Sequence, residues 1–371
     1  MGGQARAPER ADASPGEYQV DDETRVIGMA VIDLRSDTVS TPTLEMLGAM
    51  GSATFGDDVF GDDPMVKQLE ELAASMLGKP AAVFVPSGTM GNVLGIVVNA
   101  RSGEELIADS QAHVFLAEGA GAASIAGVQI RPIPTERGIM SPQQITDVVH
   151  ARDDYHLPLS AAVSFENTHN KHGGVVWPMA DLRAAADAAH HAGLRVHLDG
   201  ARLFNAAVAL GVDVKEIAAC ADTVTFCLSK GLACPAGSLF CGDEEAVDSA
   251  RRWRKRLGGS MRQPGVLAAA GIVALEKMVD RLAEDHANAR TLAEGLAELP
   301  GFKCDLSRVQ TNIVFVDVEH LTGREFEEEC KRRGVLGGAT GSHRVRFVTH
   351  RGVTAADIQS TLAVCSDIAG A

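Results

Sequence analysis

Aromatic residues are scarce in this chain of 371 residues, at 4%, and no run of about 18 apolar residues occurs in it. Without such a run, the sequence predicts no membrane-spanning helix. Positive charge is also in deficit, since 34 lysines and arginines face 49 aspartates and glutamates and give a net charge of -15. That balance disfavours attraction to nucleic-acid phosphates and anionic lipids. We expect neither nucleic acid nor a membrane among the partners.

The seven cysteines contain no Cys-x-x-Cys pair, although Cys220, Cys227, Cys234 and Cys241 recur at intervals of seven. Glycines and prolines interrupt this stretch, which excludes one heptad helix, so we interpret the four as small buried residues on consecutive strands and expect reduced thiols. The polar segment 1–30 lacks the apolar core of a signal peptide. We expect it to be a flexible extension and the protein to be cytoplasmic.

The order of apolar segments predicts an α/β fold with a mostly parallel sheet flanked by helices and right-handed crossovers. The predicted strands are 81–85, 105–108, 128–132, 161–165, 195–198 and 223–227, and the clearest helix is 179–191. Helices at 244–257 and 265–299, the latter with a bend, lead to strands 312–318 and 345–348 and helices 322–333 and 355–368. We expect a large domain over 31–260, then connecting helices and a small α+β domain over 261–371.

Three of the predicted strands are followed by residues that suit ligand binding or catalysis. Ser87, Gly88 and Thr89 follow the first strand and begin a helix, where free N–H groups favour a phosphate. Asp199 ends the strand 195–198, and a buried carboxylate there needs a partner. Lys230 follows the strand 223–227, where burial would favour a neutral, nucleophilic amine.

Each feature also has an ordinary structural explanation. Ser87 is a typical helix cap, and Arg202 is a candidate ion-pair partner for Asp199. Taken in order along one parallel sheet, however, a phosphate cup, an aspartate and a lysine match the needs of pyridoxal 5'-phosphate. The aspartate would keep the pyridine nitrogen protonated, and the lysine would form the Schiff base.

Longer segments resemble the low-specificity L-threonine aldolases, which belong to the β-eliminating lyase group with the aspartate aminotransferase fold (fold type I). The resemblance covers nearly the whole chain from residue 31. The segments that carry it are 33–38 (DLRSDT), 56–64 (GDDVFGDDP), 84–92 (FVPSGTMGN), 166–170 (ENTHN), 197–205 (HLDGARLFN), 227–231 (CLSKG), 261–263 (MRQ) and 346–350 (RFVTH).

This resemblance implies retro-aldol cleavage of L-threonine or L-allo-threonine to glycine and acetaldehyde, through a Lys230 Schiff base and a glycine quinonoid. It implies that Arg346 grips the substrate carboxylate as a bidentate fork, with Ser36 assisting. Members of the family are commonly tetramers built from dimers, so we expect a homo-oligomer. Threo versus erythro preference stays open.

Two histidines are candidates for the base. His113 matches the histidine that stacks on the cofactor ring, and an imidazole is suited to base work near neutrality. His169 is the second candidate and a predicted substrate contact. Arg202 is expected at the cofactor ring oxygen, at Asp199 or at the substrate. Arg262 is expected at a cofactor phosphate, either in its own or in a neighbouring subunit. The other histidines considered are expected to be solvated: His172, His190, His191 and His286.

Some positions depart from the family pattern. Phe60 replaces a common tyrosine and removes its hydroxyl, and Ser260 and Pro264 replace a more usual glycine and alanine. Three alternatives remain. The same apparatus supports β-elimination or transamination of another amino acid. The segment 119–124 faintly resembles a dinucleotide loop but lacks its third glycine. A metal-dependent aldolase would use His169 and His172, but we find no partner carboxylate or third histidine at ligand spacing and expect no metal.

Overall fold

The computed structural model describes residues 31–370. The predicted flexible extension 1–30 therefore lies outside the described residues. The helices are α1 Leu44–Gly51, α2 Pro64–Leu77, α3 Gly88–Asn99, α4 His113–Leu116, α5 Pro142–Thr146, α6 Met179–His191, α7 Leu203–Leu210, α8 Val214–Ala218, α9 Glu244–Arg256, α10 Gly265–Lys277, α11 Leu282–Ala297, α12 Gly323–Arg332 and α13 Ala355–Ala369. The strands are β1 Ile32–Asp33, β2 Ala81–Val85, β3 Glu105–Asp109, β4 Gln129–Ile133, β5 Ser160–Glu166, β6 Arg195–Gly200, β7 Thr223–Cys227, β8 Ser238–Gly242, β9 Phe302–Lys303, β10 Ile313–Val318, β11 Val335–Leu336, β12 Gly338–Ala339 and β13 Arg344–Val348.

The large sheet has seven strands in the order β2-β8-β7-β6-β5-β3-β4. The pairs from β7 through β4 are parallel, whereas β8 runs antiparallel to both of its neighbours. All six predicted strands are present within two residues of their predicted ends, and β8 was not predicted. Both faces of the central strands are buried, as crossover helices on each side require.

A second sheet, of order β12-β13-β10-β9, is antiparallel and forms the small unit. Helices α11, α12 and α13 pack on it around Phe326, Phe347 and Val316. The short strand β1 pairs in parallel with β11, so the first described residues pack with the small unit although they precede the large sheet in sequence. The predicted helix 265–299 is divided into α10 and α11 by residues 278–281.

The four regularly spaced cysteines are buried, but only two lie on strands. Cys227 is on β7 and Cys241 is on β8, whereas Cys220 and Cys234 lie in connections, which corrects the prediction of consecutive strands. None of the chain's seven cysteines, all within residues 31–370, forms a disulfide. No helix in that same range is long and apolar enough to cross a membrane.

Helix α3 approaches the sheet closely because its sheet-facing positions are glycines. A Cβ atom at Gly91 would lie 2.4 Å from Thr225, and one at Gly95 would lie 2.2 Å from His197. Such contacts require glycine, and they bring the N-terminus of α3 onto β7. The segment 87–89 is thereby placed beside the carboxyl ends of the parallel strands.

Candidate active site

The carboxyl ends of β3, β5, β6 and β7 meet at one edge of the large sheet. Glu166 pairs with Asp199 across β5 and β6, and Asp199 pairs with Thr225 across β6 and β7. Lys230 follows β7 and is half-buried. Its ammonium group lies close enough to the buried carboxyl of Asp37 to contribute to lowering that group's pKa. Parallel strands place such residues together, as expected for a ligand site.

A hydrogen-bonded network surrounds Asp199. Asn92 Nδ2 donates to Asp199 Oδ2 and to Glu118 Oε1, both at 2.7 Å. Glu118 Oε1 also lies 2.8 Å from Nδ1 of His113, the first residue of α4. Burial raises the pKa of Glu118, and the nearby Asp199 adds to this effect while His113 opposes it. The hydrogen bond with Glu118 raises the pKa of His113, although burial opposes that change.

The segment after β2 has the form of an anion cup. Ser87 caps α3, with its hydroxyl accepting from the Met90 N–H at 3.2 Å. Gly88 and Thr89 occupy the first turn of α3, where N–H groups have no partner within the helix. A Cβ atom at Gly88 would lie 2.7 Å from Cys227 Sγ, so glycine permits the close approach to β7.

Arg202 contacts a different carboxylate from the one considered in the sequence analysis. Its Nε and Nη2 atoms donate to Asp37 at 2.6 and 2.7 Å, and both side chains are buried. Asp199 instead accepts from Asn92 and from the Ala201 N–H. The idea that Arg202 pairs with Asp199 was therefore wrong. The arginine reaches back to the segment 36–39, which carries Asp37 in a short 3₁₀ turn capped by Ser36.

Arg346, on β13, extends from the small sheet towards this edge. Its Nη1 donates to Asn170 Oδ1 at 3.1 Å, and its Nη2 donates to the Arg35 carbonyl at 3.1 Å. Its buried Nε has no hydrogen-bond partner among residues 31–370. Burial, together with the charge of Arg202, lowers the pKa of Arg346. A half-buried guanidinium beside a second one calls for an anion, and a substrate carboxylate would supply it.

His169 lies deeper than His113. Its side chain is fully buried, and its Nε2 lies 3.1 Å from Asp109 Oδ1 and 3.8 Å from Glu166 Oε2. Burial would lower the pKa of His169, but Glu166 and Asp109 outweigh burial and raise it. The loop at Gly138, whose φ is +78°, closes over the ring, because a Cβ atom there would lie 2.3 Å from His169 Cδ2.

Two histidines that were expected to be solvated are not. His172 is only 11% exposed, and its Nε2 lies 3.4 Å from the same oxygen of Asp109. His286 Nε2 accepts from Asn205 Nδ2 at 3.1 Å, and burial lowers the pKa of His286 to about 4. The expectation that no carboxylate joins His169 and His172 was also wrong. Asp109 comes from β3, and spacing along the chain does not reveal it.

Arg262 and Phe60 lie on the surface. Arg262 is 63% exposed, and its Nη1 lies 3.3 Å from Asp57 Oδ2. Phe60 is 76% exposed and ends the 3₁₀ turn Asp58–Phe60 beside that aspartate. Within the described chain, no side-chain hydrogen bond or ion pair joins either residue to the network around Asp199. Their role at a cofactor or substrate stays a prediction.

Sequence reasoning missed several residues that hold this site together: Asp37, Asn92, Asp109 and Glu118. The first two lie in segments that carried the resemblance, but their partners are far away in sequence. Asn92 lies on the same face of α3 as Gly88 and Gly95, and the i, i+3 or i+4 spacing was the available signal. No pattern marked Asp109 or Glu118.

The described residues fit pyridoxal phosphate. Glu118 Oε2 and Thr225 Oγ1 are buried beside Asp199 and have no hydrogen-bond partner between residues 31 and 370. Unsatisfied groups of this kind are rare unless a ligand completes the site. An anion cup, a buried carboxylate and a half-buried amine at one sheet edge would hold the phosphate, the pyridine nitrogen and the aldehyde respectively.

Comparison with known proteins identifies the family of the chain. The family model of β-eliminating lyases matches residues 33–320. The low-specificity L-threonine aldolase of Escherichia coli (strain K12) is 44% identical over 324 residues, which cover 87% of this chain and 95% of that protein. Low-specificity L-threonine aldolase 1 of Arabidopsis thaliana is 39% identical over 340 residues, covering 90% and 95%.

Solved structures agree in fold. The threonine aldolase of Leishmania major superposes with a TM-score of 0.79 at 19% identity, covering 91% of this chain and 99% of that one. The serine palmitoyltransferase of Sphingomonas wittichii gives 0.73 at 18% identity, covering 92% and 87%. The fold and the site together define a lyase that depends on pyridoxal phosphate. The chain belongs to the β-eliminating lyase family, and within it to the low-specificity L-threonine aldolases.

The buried pair of Asp37 and Arg202 predicts a dependence of stability on acid. Arg202 lowers the pKa of Asp37 to about 2 from 3.8, although burial opposes it. Because the folded-state pKa is the lower one, the stabilisation is complete above pH 4 and is lost as the pH falls towards 2. We expect the wild-type free energy of unfolding to fall by about 2 kcal/mol more than that of Asp37→Asn across this window.

Urea denaturation at pH 6, 4 and 2.5 measures this difference. Asp317→Asn is the matched control. Asp317 also accepts two hydrogen bonds from an arginine, Arg344, but this pair lies on the surface. Equal acid sensitivity of the wild type and Asp37→Asn would contradict the prediction.

Proposed function

We propose that the protein cleaves L-threonine and L-allo-threonine, and related β-hydroxy-α-amino acids, to glycine and an aldehyde. The observation that carries the proposal is the buried Nε of Arg346, which has no hydrogen-bond partner in residues 31–370. Asn170 Oδ1 accepts from both Arg346 and Arg202, and Asp37 accepts from Arg202 and is close enough to Lys230 for its charge to lower the Asp37 pKa. A carboxylate held by Arg346 therefore places the rest of an α-amino acid towards Lys230.

Pyridoxal phosphate, when bound, supplies an aldehyde for the substrate amine and a ring that accepts the electrons of the breaking Cα–Cβ bond. The chain's own residues do the rest. Ser87, Gly88 and Thr89 would hold the phosphate, and Asp199 would hold a proton at the pyridine nitrogen. Lys230 would carry the aldehyde until the substrate amine replaces it.

Fixing the substrate carboxylate at Arg346 orients the remaining bonds of Cα, which decides the bond that breaks. His113, with Nδ1 on Glu118, has Nε2 available to accept the β-hydroxyl proton. It is 33% exposed, whereas His169 is fully buried, so His113 is the histidine that a substrate can reach. We assign His169 a positioning role behind it, through Glu166, whose Oε2 accepts from the His113 N–H at 2.7 Å.

A product assay tests the reaction. Incubation with L-threonine should give equal amounts of glycine and acetaldehyde. L-serine, presented separately, tests β-elimination, which would release pyruvate. Formation of 2-oxobutyrate from L-threonine, or of pyruvate from L-serine, without glycine would overturn the aldolase proposal and favour the elimination reaction.

Replacing Arg346 by lysine is expected to lower kcat/KM for L-threonine roughly 10- to 150-fold. Lysine keeps the charge but loses the two-pronged hydrogen bonding, and a hydrogen bond to a charged group is worth about 1.5–3 kcal/mol. We expect most of the change in KM. Arg344→Lys is a matched control on the same strand, since Arg344 pairs with Asp317 on the surface. An unchanged KM for Arg346→Lys would remove the arginine from carboxylate binding.

We also propose that the protein acts in the cytoplasm as a homo-oligomer, with a tetramer built from dimers as the expected form. Large apolar side chains on α1 and on the turn before α2 are exposed, among them Leu44, Leu47 and Phe60. Their burial against another subunit is favourable. Arg262 shares that surface. An active monomer in light scattering would contradict the proposal.

A further inference from the structure

Asp109, His169 and His172 converge on one point next to the active site. Asp109 is the last residue of β3, and the two histidines lie in the connection that follows β5. Asp109 Oδ1 lies 3.1 Å from His169 Nε2 and 3.4 Å from His172 Nε2. All three candidate ligand atoms lie within 4.8 Å of one another. We call this group the Asp109 cluster.

Hydrogen bonds do not account for the arrangement. Within the described chain neither Nε2 atom has a hydrogen-bond partner of acceptable geometry, although each is close to the carboxylate. His169 is completely buried, and both of its ring nitrogens lack partners in residues 31–370. A buried polar group without a partner destabilises the folded protein. An ion bound between the three atoms would satisfy all of them.

The carboxylate is itself held in place. Oδ1 of Asp109 accepts from the Gln111 N–H at 2.8 Å, and Oδ2 accepts from the Thr135 hydroxyl at 2.6 Å. Hydrogen bonds from outer residues that orient a ligand are typical of metal centres. The network around Asp199 uses none of these atoms.

We propose that the Asp109 cluster is a site for a divalent transition metal of the zinc or cobalt type. Two imidazoles and a carboxylate suit these ions, whereas magnesium and calcium prefer oxygen ligands alone. Ligand distances of about 2.0–2.1 Å around a tetrahedral ion place neighbouring ligand atoms about 3.3 Å apart. The observed 3.1 and 3.4 Å agree with that spacing.

On the side of His172 the cluster borders a cleft. This cleft has a volume of about 480 Å³ and is lined by Gln111, Lys171 and His172, among others, so the proposed route for an ion runs past His172. A water molecule on that side would complete the coordination. The bound metal would join the end of β3 to the connection that carries Asn170, the residue that contacts both Arg202 and Arg346. Its role is therefore structural, and it does not depend on the proposed reaction.

Metal binding to the holoenzyme tests the proposal. After EDTA treatment and desalting, the protein is dialysed against zinc, the bound metal is counted, and the melting temperature is measured. We expect one zinc per chain and a raised melting temperature. His172→Asn should weaken zinc binding at least about 10- to 100-fold, since changes in outer residues alone have effects of that size. Every variant carries the same cofactor, so any metal that the cofactor itself binds contributes equally to all samples.

His190→Asn is the matched control. His190 also faces a carboxylate, Asp222, at 3.1 Å, but the pair is exposed and has no second histidine. Cobalt adds a spectroscopic readout in His172→Cys, which replaces one ligand by another and should show a thiolate-to-cobalt absorption band. No stoichiometric zinc in the wild type, or equal zinc binding in His172→Asn and the wild type, would overturn the site. If the wild-type protein binds zinc but does not cleave L-threonine, the metal site stands and the proposed function is overturned.

Discussion

Replacing Lys230 by alanine is expected to lower kcat for L-threonine cleavage by more than about 10⁴-fold. This exceeds the roughly 10²–10⁴-fold effect of a single general acid or base, because the variant loses the amine that carries the cofactor aldehyde. The purified wild-type protein should be yellow, and borohydride should remove its absorption band irreversibly. The variant should lack that covalent attachment.

Lys331→Ala is the control for this experiment, because Lys331 is exposed on α12 of the small unit. It should retain the colour, the borohydride reaction and the activity. Circular dichroism establishes whether Lys230→Ala is folded, so that loss of structure is not taken for loss of chemistry. A folded Lys230→Ala protein with substantial aldol cleavage would exclude Lys230 as the covalent residue.

The parts of the fold that the sequence predicted best are those with local signals. Helix α6 has the predicted bounds, because its apolar positions recur at helical spacing and glycine follows at 193. The strands from β2 to β7 are short apolar runs between such helices. Strand β8 was missed because it is antiparallel and no crossover helix separates it from β7. Without that alternation, the run 238–242 looks like part of a loop.

Contacts between distant segments could not be predicted in the same way. Asp199 is three residues from Arg202, and proximity in sequence suggested that they pair. The fold instead brings Asp37 to Arg202, from the strand–turn segment that begins the described chain. Asp109 reaches His169 and His172 for the same reason, since β3 and β5 are neighbours in the sheet. Sheet order decides such pairs, and no periodicity encodes it.

The residues at the strand ends were easier to predict, because the carboxyl ends of parallel strands lie at the same edge of the sheet. Lys230, Asp199 and the segment 87–89 were predicted to share a site from their positions after strands alone. Their neighbours Asn92 and Glu118 were not, although they determine how His113 is held. Because Glu118 contacts His113 and not His169, a change at Glu118 distinguishes the two candidate bases.

Replacing His113 by asparagine is expected to lower kcat about 10²–10⁴-fold and to remove the acidic limb of the pH profile. The base must be neutral to accept the β-hydroxyl proton, so activity should rise as the pH passes through the pKa of His113. The hydrogen bond with Glu118 raises that pKa above its ordinary 6.5, although burial opposes it. The limb of the wild-type enzyme should therefore lie above pH 6.5.

Glu118→Gln provides the decisive comparison, because it removes the negative charge from the hydrogen-bond partner of His113 and leaves the imidazole in place. The acidic limb should move to lower pH, a shift that a merely structural change would not cause. His169→Asn should keep the limb where it is in the wild type, since His169 is buried behind the site. If His169→Asn loses the limb while His113→Asn retains it, the roles of the two histidines are reversed. The proton would then pass to the deeper ring, and the loop at Gly138 would have to open for each turnover, because it covers that ring.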